Sequence, residues 1–143
     1  MPVATKSQTR TRLLDAAILL GTLPMIALVM YPHPEGSPRR VFLVPFVDLA
    51  GQFGVGLGYA ARQIGGNLLV FAAFGFFGPI RWRLGLFGVT AIAAAGSAVL
   101  EILQYLIEAN RVTSVDDVLV NAAGAALFAL ASRRYWATRR PGE

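Results

Sequence analysis

From Leu13 to Tyr31 the chain runs apolar, interrupted only by Asp15 near one end and by Thr22. About 20 such residues cross a ~30 Å hydrocarbon layer as a helix. In hydrocarbon no water pairs with the backbone, so an isolated run of this length has one stable form, the α-helix. A cleaved signal peptide is the alternative for this segment. The run is long for such a peptide, and Tyr31-Pro-His-Pro34 offers no small-residue cleavage site, so a retained helix is expected. Comparable runs follow at residues 64–80, at 84 to about 105, and from 115 to the residues before Arg133-Arg134. The predicted architecture is all-α, an integral membrane bundle of four transmembrane helices. Residues 13–131 form that domain, between a basic start at 1–12 and a basic tail at 132–143.

Composition agrees. Of the 143 residues 55% are hydrophobic and 15% charged, against about 25% charged in soluble domains. The chain has no cysteine, so there is no disulfide, thiol nucleophile or thiolate metal site. The net charge of +5 comes from residues at the chain ends and in short connections, a distribution that fits membrane topology and argues against a nucleic-acid partner.

With four spans, Lys6, Arg10, Arg12, Arg81, Arg83, Arg133, Arg134, Arg139 and Arg140 fall on one side, nine in all. Arg39, Arg40, Arg62 and Arg111 fall on the other, four in all. The richer side is expected to be cytoplasmic, with both termini there and Trp82 and Trp136 as interfacial anchors. Residues 32–63 then make a long external connection of about 30 residues. Within it, Val41 to Phe46 and Val47 are apolar but far too short to span, and an interfacial or re-entrant position is expected. The second and third spans are joined by a very short turn and are expected to pack as an antiparallel pair. Small residues recur in the last two spans, among them Ala94, Ala98, Gly124 and Ala125, and allow close helix approach.

The polar residues of this greasy chain gather in one stretch. Glu101 and Gln104 share a helix face by their i, i+3 spacing, and Asp117 and Asn121 share one by i, i+4. Both pairs, with Asn67, Arg111 and Asp116, are placed by the topology at the external end of the bundle. Ser114-Val-Asp-Asp117 also has the S-x-x-D form of a helix cap, which would account for Asp116 in structural terms. His33 is the only histidine and reads as a loop residue. The glycines at 51, 54, 56 and 58 form no phosphate-binding motif. Carboxylates with amides suit acid–base work by Glu101 or Asp117, or a divalent ion held through oxygens, and the residues leave both open. No resident cofactor or metal is expected.

The set Asn67-Leu-Leu-Val-Phe71 with Gly75, then Glu101-Ile-Leu-Gln104, Arg111, Val115-Asp-Asp117, Asn121 and Gly124, resembles the VanZ-like family of small bacterial membrane proteins, as does Val44-Pro-Phe46. The resemblance covers residues 41–131. The sequence departs from the family pattern at Ala73, often Pro, and at Ser114, often Asp. The resemblance implies a multi-pass protein of the bacterial cytoplasmic membrane with a cell-envelope role. The family is named for a member associated with resistance to the glycopeptide teicoplanin. Two functions are expected to compete. One is a binding module for an envelope lipid, a lipid-linked precursor or an antibiotic. The other is an enzyme that modifies such a molecule. A small transporter is a weaker third.

Overall fold

The computed structural model describes residues 6–31, 40–107 and 112–137. In chain order the elements are α1 (Lys6–Met30), β1 (Arg40–Phe42), α2 (Val47–Val55), α3 (Leu57–Val70), α4 (Ala72–Trp82), α5 (Leu86–Leu106), β2 (Val112–Ser114), α6 (Val115–Ala131) and a 3-10 turn at Arg133–Tyr135. Three helical stretches are long and apolar enough to cross a membrane: α1, the 26-residue run α3–α4, and α5. The fourth expected span, α6, has 17 residues, or about 26 Å at 1.5 Å per residue.

Helix α6 is the centre of the bundle. It packs against α3, α4 and α5, and α1 lies against α4 and α3. The expected α4–α5 pair does touch, but each of these helices meets α6 more extensively. The reason lies in α6 itself. Gly124, Ala125, Ala122 and Ala129 are all buried, and their small side chains admit neighbouring backbones. A Cβ added at Gly124 would strike the Leu68 carbonyl oxygen and lie 2.7 Å from the Leu68 Cα. A Cβ at Gly75 would strike the Ala125 carbonyl oxygen. The two glycines thus stitch α6 to α3 and to α4. Between the two contacts the helix breaks at Phe71 (φ −107°, ψ 19°), whose ring packs where a Gly96 side chain would be.

The sides of the bundle are apolar and unburied. Helix α1 buries only Ile18 and Thr22 and leaves Leu19, Leu20, Leu23 and Leu28 exposed. Phe87, Ile92, Val99 and Ile102 do the same on α5. In water such a surface would aggregate; in lipid it is the solvated face. At the Arg81 end, Arg81 clasps Asp15 of α1, Nε to Oδ1 at 2.6 Å and Nη2 to Oδ2 at 3.3 Å. The planar fork ties α1 to α4. Both side chains are partly exposed, and such pairs contribute only ~0–1 kcal/mol. At the same end Trp136 folds back on α6, its Nε1 donating to the Ala129 carbonyl at 3.0 Å and to Ser132 Oγ at 3.1 Å.

Three features differ from the sequence-based expectation. The second span does not begin at Ile64, because the helix starts at Leu57. The 32–63 connection, expected as one external loop with an interfacial or re-entrant segment, contains β1, α2 and the start of α3. The chain is also not wholly α-helical: β1 and β2 pair in parallel, with Arg40 opposite Val112, Val41 opposite Thr113 and Phe42 opposite Ser114. The glycines of this region have low helix propensity in water and read as loop. A Cβ at Gly51, Gly54 or Gly58 would meet nothing within 4 Å among the described residues, and α2 packs against α3.

A polar cluster at one end of the bundle

Helix α6 begins at Ser114, whose side chain accepts the N–H of Asp116 at 3.1 Å and so caps the helix. A reciprocal capping bond would come from Asp117. Here the N–H of Ser114 donates to Glu101 Oε2 on α5, at 3.0 Å. Glu101 therefore holds the start of α6 from the neighbouring helix. It is buried, as are Ser114 and Asp116. A buried carboxylate needs donors, and backbone N–H groups at a helix start supply them.

Asp116 is 2% exposed and serves another helix. Its Oδ1 accepts the Phe46 N–H at 2.6 Å and its Oδ2 the Leu49 N–H at 2.9 Å. These are two of the orphan donors at the start of α2, so Asp116 is the cap of a helix some 70 residues away in sequence. The parallel β1–β2 ladder makes this geometry possible. It brings the two strands side by side, and each leads toward a helix, β1 to α2 and β2 to α6.

The remaining members point to different neighbours. Asp117 accepts from Asn67 Nδ2 and joins α6 to α3. Asn121, 5% exposed, donates Nδ2 to Ser97 Oγ on α5 at 2.7 Å. Its Oδ1 is buried and has no hydrogen-bond partner among the described residues. Gln104 turns away from α6 and donates Nε2 to the Val29 carbonyl of α1 at 2.7 Å.

Six of the seven candidate residues thus lie at the start of α6 or on the helices around it. Asn67 and Asp117 meet directly. Glu101 and Asp116 meet through Ser114. Asn121 sits in the α5–α6 seam, and Gln104 ties α5 to α1. The expected Arg111 contact falls outside the described residues. Ser97 and Ser114 are buried members that the residue pattern did not nominate as site residues. Ser97 stands four residues before Glu101 and seven before Gln104, so the helical repeat that grouped those two also reaches it. Among the described residues no group of three His, Asp or Glu gathers as metal ligands would.

Helices that meet lipid on their sides and close one end with a buried polar network define the class: a polytopic helical membrane protein. The VanZ/LLP1 family model matches residues 17–136. The chain belongs to the VanZ/LLP1 family, as its Glu-x-x-Gln, Asp-Asp and Asn residues implied. No curated protein matches, and neither does any solved structure.

Proposed function

We propose that this protein spans the bacterial cytoplasmic membrane four times, through α1, α3–α4, α5 and α6, with both termini in the cytoplasm and the polar cluster outside. There it acts as a binding module for an envelope lipid or lipid-linked precursor, and a role in glycopeptide resistance would follow from that binding. One observation carries the reading. Asn121 is buried beside Ser97, which is itself one helical turn from Glu101, and one end of its amide has no partner among the described residues. A buried polar group without a partner costs about 1–3 kcal/mol, and a ligand that offers it a hydrogen bond recovers that cost. Glu101 lies one turn from Ser97 on α5, and Asp117 lies one turn from Asn121 on α6. A head group rich in hydroxyl or amine donors, such as a sugar, suits this end. The acids also favour binding over acid–base catalysis, because each accepts a hydrogen bond that holds the fold.

Profiling of lipids and cell-wall precursors in cells with and without the protein tests the reading. The binding module predicts the same covalent species in both, with envelope precursors co-purifying with the protein. A new covalent species would favour the enzyme instead. The topology has its own test. The cysteine-free chain accepts single reporters: a cysteine at Arg40 is expected to react with an impermeant thiol reagent from outside, and one at Ala137 only after permeabilisation. Reversed labelling would place the polar cluster in the cytoplasm and end the proposal.

A further inference from the structure

Helix α2 is bracketed by two residues with positive φ. Phe46, just before it, has φ 67° and ψ 0°, a region that a residue with a bulky side chain enters only under constraint. Gly56, just after it, has φ 148°, which glycine alone adopts readily. The constraint on Phe46 has a visible source in Asp116, which holds its N–H at 2.6 Å and that of Leu49 at 2.9 Å. The outer surface of α2 is apolar, with Val47, Phe53 and Val55 exposed, and Asp48 is its one charged residue. On its inner side Gln52 is buried. Gln52 donates Nε2 to Asp48 at 2.8 Å, while its Oε1 meets no donor among the described residues.

We propose that α2 is a hinged cover over the polar end of the bundle, turning about Phe46 and Gly56, latched by Asp116 and coupled to Glu101 through Ser114. Its purpose as a cover rests on the reading of that end as a ligand site; its motion does not. The coupling is a continuous line of hydrogen bonds. Glu101 Oε2 takes the Ser114 N–H, Ser114 Oγ takes the Asp116 N–H, and the Asp116 carboxylate takes the two N–H groups of the α2 entry. A head-group hydroxyl or amine that donates to Glu101 competes with Ser114, loosens the first turn of α6 and releases the latch. By reciprocity, a cover held shut weakens ligand binding by the same factor that the ligand opens it. Opening costs two hydrogen bonds to a charged group and any packing of α2 on its neighbours that the motion breaks. Release of Phe46 from its constrained backbone offsets part of that cost.

Because the chain has no cysteine, spin labels at Ala50→Cys on α2 and Ala91→Cys on α5, both exposed positions, report alone. The full chain in lipid nanodiscs is measured by double electron–electron resonance. The parent should give one narrow distance. Asp116→Ala should raise a displaced population by about tenfold or more, as loss of two charge-assisted bonds implies. Glu101→Ala should raise it to a lesser degree. Phe46→Gly in the Asp116→Ala background should return the population toward the shut position, since glycine needs no constraint there. Should Asp116→Ala fail to fold, Asp116→Asn, which keeps an acceptor oxygen, should show a smaller displacement in the same direction. An unchanged distribution in the Asp116 variants overturns the cover. Displacement in Asp116→Ala with none in Glu101→Ala overturns the coupling. The measurement uses no ligand, so its failure is separable from that of the binding reading: a moving cover with an unaffected envelope profile counts against the latter alone.

Discussion

One methyl group at position 124 is expected to undo the packing of α6 against α3. In Gly124→Ala the new Cβ would sit within 2.7 Å of the Leu68 Cα and carbonyl carbon and closer still to its oxygen. These are backbone atoms of a helix and cannot swing aside as a side-chain tip can. The helices must part, and dispersion contacts along the whole crossing are then lost, in a solvent where such contacts are the main attraction between helices. Overpacking of this kind costs about 1–3 kcal/mol per site. Gly75→Ala should act in the same way through Ala125, so the double variant should lose most of the folded population. Gly65→Ala is the control, since no atom of the described residues lies within 4 Å of its Cβ position. Alanine there should be neutral or stabilising by about 0.5–1 kcal/mol. Thermal unfolding of the purified variants in one detergent measures the difference, and equal midpoints for Gly124→Ala and Gly65→Ala would contradict the close crossing.

Three long apolar helices were legible in the sequence because lipid imposes a length and an apolarity that few other constraints mimic. The family was legible because Glu101, Gln104, Asp117 and Asn121 keep a spacing that apolar helices have no reason to keep. What the spacing could not give was the identity of each partner. Residues at i, i+4 differ by about 40° around the helix axis, and on a helix surrounded by neighbours that is enough to send Asp117 to α3 and Asn121 to α5. Gln104 shares a face with Glu101, yet it is drawn to α1 by the Val29 carbonyl. Asp116 was readable as a first-turn acid of its own helix. Its role as the cap of α2 depends on the β1–β2 ladder, a pairing between segments some 70 residues apart that no local pattern announces. Helix α2 itself was hidden by its glycines.

The second large effect concerns the acids of the cluster, and it separates architecture from function. In the double variant Glu101→Gln, Asp117→Asn each carboxylate becomes an amide that keeps one acceptor oxygen. The Ser114 N–H and the Asn67 amide can therefore keep their partners, and the bundle should fold, insert and melt close to the parent. A ligand that donates to these oxygens loses two charged acceptors, each such bond being worth about 1.5–3 kcal/mol. Binding should fall by tenfold or more for each acceptor that the head group engages, at about 1.4 kcal/mol per decade.

Mass spectrometry of the envelope lipids and lipid-linked precursors that co-purify with parent and double variant, expressed to equal levels, puts this to the test. The polar end as a binding site predicts a donor-rich envelope species on the parent and its depletion by about tenfold or more on a variant of unchanged thermal stability. The same species in the same amount on both proteins would mean that the cluster only holds the helices together, and would contradict the account.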